Sequence, residues 1–256
     1  MKFYRILILV TPLIILLLFE FFVIFPKAIY FLLILANLVI FFTIWVLHKH
    51  SLNQGGRKFY LSATVQPALF LTTLAFYSVL ISNKIVIQSL FLANSFFIYF
   101  YLRNFYYYIF KPNYYKSQIL ENISSYGNFL IIFFLSSFTF GLQSFLNIPI
   151  WILITIILPI IALVIYNVMW INKINFKIGF IYILVSCLIL TEISWSLSFL
   201  PLNYNISGLV LAICYYVIVG LIRYYLRGDL NKRIVKFYLS FGLISISLIL
   251  LTARWM

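Results

Sequence analysis

Nine apolar runs of roughly twenty residues, parted by short polar connections, leave this chain few ways to fold. They fall at 6–25, 28–47, 62–82, 85–102, 128–146, 149–170, 178–198, 206–222 and 235–253. A helix needs about 20 apolar residues to cross the hydrocarbon core of a bilayer. Charged residues make up only 9% of the chain and mean hydropathy is +1.12, whereas a soluble domain carries about 25% charged residues. A soluble domain of this size still shows much of its surface to water, so lipid is the solvent here. The expectation is an all-α, polytopic transmembrane helix bundle of about nine spans. It forms a single integral-membrane domain over 1–256 and sits in a cell membrane.

The formal charge of +14 arises from 18 Lys and Arg against 4 acids. Nucleic-acid binding requires basic residues gathered on one face, and here they fall mainly between the runs, which argues against it. Counted by connection, fifteen lie on the side of the N-terminus: Lys2, Arg5, Lys49, Arg57, Lys58, Arg103, Lys111, Lys116, Lys173, Lys177, Arg223, Arg227, Lys232, Arg233 and Lys236. Only Lys27, Lys84 and Arg254 lie on the other. By the positive-inside rule this places the N-terminus in the cytoplasm and the C-terminus outside. The same residues are expected to meet anionic lipid headgroups, with Trp45, Trp170, Trp195, Tyr204 and the Phe105–Tyr108 cluster at the interfaces.

The first run follows Lys2 and Arg5 as a signal peptide would, but it is too long and no small-x-small cleavage pattern precedes Pro26-Lys27; it reads as a retained span. Two connections are longer than the rest. Residues 48–61 contain Gly55-Gly56, which lacks the Lys-Ser/Thr of a phosphate loop. In residues 103–127, Pro112 is expected to end the preceding helix, and the stretch beyond it to lie along the headgroups as a short amphipathic helix. Residues 128–170 read either as two spans or as a re-entrant element. Leu35-Ala36-Asn37 recurs as Leu92-Ala93-Asn94, and Ser144-Phe145-Leu146 as Ser198-Phe199-Leu200, a pattern that duplicated two-helix hairpins would leave. Asn37 and Asn94 are expected to hydrogen-bond between helices, and Arg103 to anchor a span end by snorkelling.

Glu192 is the residue most in need of explanation, because it stands within an apolar run. A carboxylate at the centre of a span costs about 2.5–3.5 kcal/mol on insertion scales, and such acids mark sites by default. Residues 192, 195, 196 and 199 share a helix face at three- and four-residue spacing, joining Glu192 to Trp195, Ser196 and Phe199. Beyond Pro201 the chain supplies Asn203, Tyr204 and Asn205. Either a polar pocket opens there to the exterior, with Glu192 binding a cation or acting as a base, or Glu192 is a structural carboxylate paired with a neighbour such as Arg254. Glu20, in the first run, is the second intramembrane acid, with apolar flanks on both sides.

Other chemistry leaves no mark. HExxH, GxSxG and Walker sequences are absent, as is any paired-acid or Ser/His arrangement suited to intramembrane proteolysis. Cys187 and Cys214 have no CxxC spacing and read as packing thiols; His48 and His50 alone make a poor metal site. No cofactor is expected. Three function classes remain: a small permease or lipid-handling protein, a membrane-embedded subunit or scaffold with a membrane-protein partner, and an enzyme acting on a lipid-linked substrate.

The segment TEISWSLSFLP, its continuation GLVLAICYYVIVGLIRYYLRGDLNKR and the following YLSFGLI resemble uncharacterised bacterial integral-membrane proteins of unknown function. The resemblance covers residues 192–256, through a Glu-x-x-Trp, a Phe-Leu-Pro and a Gly-x-Leu before a basic turn. It implies a membrane protein and a shared site for Glu192 and Trp195, and carries no chemistry.

Overall fold

The computed structural model describes residues 2–49, 57–110, 117–172, 174 and 176–253. These form nine α-helices and no strand: α1 (Lys2–Ile24), α2 (Ile29–Lys49), α3 (Arg57–Ser78), α4 (Lys84–Phe110), α5 (Ser117–Leu146), α6 (Ile150–Ile171), α7 (Phe176–Ser198), α8 (Tyr204–Arg227) and α9 (Lys232–Thr252). Helix is the expected answer to an apolar sequence in lipid, since each helix satisfies its own backbone where water cannot. Eight of the nine are long and apolar enough to cross a membrane; α3 has the length but a lower hydropathy. The chain is therefore a multi-pass protein of eight to nine spans.

Asparagine and glycine mark several helix ends. Asn203 and Asn231 cap α8 and α9 by accepting the amides of Asn205 (3.0 Å) and Arg233 (2.7 Å), and Asn83 accepts from Ile85 at the start of α4 (3.0 Å). Gly228 closes α8 at φ 77°, in the left-handed region that glycine enters without penalty. Asn231→Ala is expected to cost about 1 kcal/mol, seen as faster hydrogen exchange at the amides of Arg233 and Ile234; unchanged exchange there would show that the cap carries no weight.

The chain divides into two compact units, Met1–Gly127 and Asn128–Met256, with the division falling inside α5. In the first unit α1 packs against α2 and α4, and α3 against α2 and α4. The α1–α4 pair is antiparallel, with Tyr4 against Phe110 (5.1 Å between centroids), Phe19 against Phe91 (4.7 Å), and the Ser95 hydroxyl donating to the Pro12 carbonyl (3.2 Å). Thr11 and Thr43 share a buried hydrogen bond of 2.9 Å between α1 and α2.

Helix α3 is the least hydrophobic of the nine and among the most enclosed. Ser62, Thr64, Gln66, Thr73 and Ser78 are all buried within it. A helix screened from lipid by its neighbours has no need of an apolar surface. Pro67 has no N–H to give the Ala63 carbonyl four residues earlier, and the hydroxyl of Tyr101, on α4, donates to that carbonyl instead (2.7 Å). Neighbouring side chains commonly repair proline-broken helices in membranes this way.

Residues 117–127 depart from the sequence expectation. They do not form a separate headgroup helix but make the first three turns of α5. The reason is packing by small residues. The backbone of Ser124, a buried residue, accepts from the side chain of Gln66 (2.9 Å), and Gly127 lies so close to Phe97 and Gln66 that a Cβ there would overlap both. Upstream, α4 continues past Arg103 and ends at Phe110, two residues before Pro112. Residues 128–170 form two clean helices joined through Asn147, which takes φ 53°.

In the second unit α7 packs on α6 and α8, and α9 on α8. Gly208 of α8 meets α5 so closely that a Cβ would lie 2.8 Å from the backbone nitrogen of Ser137 and 2.9 Å from its Cα. The Ser136 hydroxyl reaches the Gly208 carbonyl across this crossing (3.1 Å) while sharing its proton with the closer Ile132 carbonyl of its own helix (2.5 Å), the small-residue contact by which helices associate in lipid. Between α8 and α9 the ring of Tyr238 lies over Gly220, and Val217 over Gly242. The rest of α9 is largely exposed.

The two Leu-Ala-Asn strings occupy unlike environments. Ala36 is buried and Asn37 half-buried on α2, whereas Ala93 is exposed and Asn94 buried on α4.

Candidate functional site

Helix α7 presents Glu192, Trp195 and Ser196 on one exposed face, as their spacing requires, and the exposed Phe199 follows in the turn just past its end. Trp195 is 56% exposed and its ring lies 6.1 Å from that of Phe199. The opposite side carries Ser194 and Leu197 into the packed interior. The face therefore looks away from the packed interior of its unit.

Hydroxyls along this stretch are used by the helix itself. Ser196 donates to the Glu192 carbonyl (2.9 Å), Ser198 to that of Trp195 (2.6 Å), Ser194 to that of Leu190 (2.7 Å) and Thr191 to that of Leu188 (2.8 Å). Such back-bonding satisfies a hydroxyl in lipid without a second helix. What remains turned outward is a carboxylate beside an indole. Among the described residues the Glu192 side chain has no hydrogen bond and no ion pair. Arg254, the partner suggested by sequence, lies outside the described residues.

Asn203 and Asn205 stand at the start of α8, past Pro201. The Asn203 side chain is occupied in capping the helix through the Asn205 amide. Close by in sequence, Tyr204 meets Phe145 edge-on at 5.6 Å, and the Gln143 side chain reaches the Ser198 carbonyl at 3.5 Å. Gln143 gave no signal in the sequence, because a single amide near a span end looks like an interfacial residue. The structure thus brings Glu192, Trp195 and Ser196 together on α7, while Asn203 and Asn205 belong to the adjoining helix start. Glu20, on α1 in the first unit, is half-buried.

The asparagine amides do not tie helices together as expected. Asn37 donates to the Leu33 carbonyl of its own helix (2.9 Å). Asn94 is 0% exposed, and neither polar atom of its amide finds a partner among the described residues. Apolar residues lie around it on α4, with Phe91 and Ile98 buried on the same face, so its amide pays the desolvation cost of burial uncompensated. Cys187 and Cys214 are free thiols. Among the described residues no three His, Cys, Asp or Glu side chains converge as a metal site.

Helices of membrane-spanning length, joined by short turns and bearing one outward acidic face, define a polytopic helical membrane protein. The chain belongs to a family described as a protein of unknown function, DUF5656, whose model matches residues 12–252. Membership thus extends well beyond the 192–256 segment in which the likeness is first visible. No curated protein and no solved structure matches the chain.

Proposed function

We propose that this protein is a membrane-embedded subunit that docks through the outward face of α7 onto a partner span carrying a lysine or arginine. The observation that carries this reading is the exposure of Glu192 beside Trp195 on a helix of membrane-spanning length and hydropathy. Left against hydrocarbon, the carboxylate costs energy; a cation from a partner offsets it, and the Trp195 and Phe199 rings offer a surface for the cation and its aliphatic stem. Glu192 stands six residues before the end of α7, roughly 9 Å along the axis. With the N-terminus cytoplasmic, as the excess of basic residues on that side favours, this is the exterior end of the span.

The lipid-linked enzyme reading needs at least two convergent polar groups. Asn203 is committed to its cap and Ser196 to its own helix, which leaves Glu192 without a second group to share acid and base roles. The permease or lipid-handling reading draws support from a different place, a basic cavity in the first unit.

Reciprocal charge reversal tests the docking. Wild-type protein, taken from its own membranes in mild detergent, is expected to bring a stoichiometric companion. Glu192→Lys is expected to weaken that association by more than about tenfold, with an unchanged thermal midpoint. Reversing the companion's intramembrane Lys or Arg to Glu is expected to restore binding to Glu192→Lys. A protein that leaves the membrane alone, or a complex indifferent to Glu192→Lys, would remove the basis of this assignment.

A further inference from the structure

We propose that the first unit holds a phosphate-binding site between the start of α1 and the last turns of α4, independent of the reading of Glu192. The two helices frame an open cavity of about 300 Å3, at the small end of the range for ligand sites. Arg5 stands on the α1 side, and Arg103 with Tyr99, Tyr106 and Tyr107 on the α4 side; Ile8 and Leu9 complete the wall. These groups are brought together from opposite ends of the unit by the antiparallel run of α1 along α4.

Three observations point to an anion. Both charged residues lining the cavity are arginines, and none of the lining residues is acidic. The Arg103 guanidinium, on an exposed residue, lies over two rings that also line the cavity, 6.0 Å from the centroid of Tyr99 and 5.8 Å from that of Tyr107. Tyr106 is 3% exposed, and its hydroxyl, fully enclosed, has no partner among the described residues. A buried hydroxyl left unpaired is costly, and Tyr106 is among the residues around this basic cavity.

Two guanidinium groups and a phenol donor make a recognition set for a phosphate group. Arginine's planar fork matches phosphate oxygens two at a time, and a tyrosine hydroxyl supplies a further single donor. Apolar Ile8 and Leu9 beside the charges suit a ligand with both a phosphate and a hydrocarbon portion. A phospholipid headgroup and a soluble phosphate share the chemistry that the arginines read.

The test uses the full-length protein, purified and stripped of lipid in a nonionic detergent, with its thermal midpoint read against two probes. One is dihexanoyl phosphatidylglycerol, a short-chain phospholipid; the other is inorganic phosphate at the same concentration and ionic strength. A ligand that binds only the folded state raises the midpoint. Stabilisation by the phospholipid alone identifies a headgroup site, and equal stabilisation by inorganic phosphate identifies a site for soluble phosphate; both support the proposal. Arg103→Ala and Arg5→Ala are each expected to weaken binding about tenfold, as loss of a hydrogen bond to a charged group does. Tyr106→Phe keeps the ring and its packing, so it is expected to bind several-fold more weakly with an unperturbed midpoint in the absence of ligand. Arg103→Lys keeps the charge but not the fork and is expected to recover only part of the affinity. Neither probe shifting the wild-type protein, or equal shifts in wild type and the Arg5→Ala/Arg103→Ala double variant, overturns the proposal.

Discussion

Gly208→Leu is expected to yield protein that inserts but does not fold its second unit, seen as loss of the monodisperse peak and of the cooperative thermal transition in detergent. The argument rests on what stands opposite the glycine. A Cβ at residue 208 would meet backbone atoms of Ser137, 2.8 and 2.9 Å away, and a backbone cannot rotate aside as a side chain can. The only relief is to move α8 off α5, which breaks the bond from Ser136 to the Gly208 carbonyl and opens a gap along the crossing. Overpacking of an ordinary core costs about 1–3 kcal/mol; a clash with a fixed backbone belongs at the top of that range or above it. Gly220→Leu, which meets the ring of Tyr238, is the internal comparison. It is expected to be milder, since α9 packs on α8 and the rest of it is largely exposed, which leaves it room to shift. Equal tolerance of leucine at both positions would refute the backbone argument.

Tyr101→Phe is expected to destabilise the first unit by about 2 kcal/mol, the cost of leaving a buried carbonyl unpaired. The hydroxyl it removes serves the Ala63 carbonyl that Pro67 leaves open. This makes the effect conditional on the proline. In a Pro67→Ala background the alanine amide can bond Ala63 by the ordinary helical route, and the same Tyr101→Phe change is expected to cost less than about 0.5 kcal/mol. A double-mutant cycle measures the difference directly. Equal costs in both backgrounds would show that the tyrosine acts through packing alone.

Helix positions were readable because lipid imposes a length and a composition that few other structures share. Of the runs marked in the sequence, each corresponds to one helix. The start of α5 was not readable, since Ser124 and Gly127 lower hydropathy in the same way that a surface segment does. Their role is to let Gln66 and Phe97 approach, which only a knowledge of the partner helix reveals. A similar limit applies to the candidate face. Glu192 stands out in α7 by its rarity, and its alignment with Trp195 follows from helical spacing. Whether that face looks inward or outward does not follow, because in lipid both sides of a span are apolar and polarity no longer distinguishes core from surface. Arg5 and Arg103 come from different runs, and no local pattern joins them.

The enclosure of α3 bears on the order in which the chain is built. A segment carrying Gln66, Pro67 and several hydroxyls partitions poorly into a bilayer by itself, yet two of the groups that satisfy its polar atoms, Tyr101 and the Ser124 carbonyl, are synthesised after it. During translation α3 is therefore expected to wait, at the edge of the insertion machinery or against α2, until α4 and the beginning of α5 arrive to receive it. A nascent chain ending at residue 83 is expected to leave α3 accessible to water-soluble labels, and one extended through residue 127 to protect it.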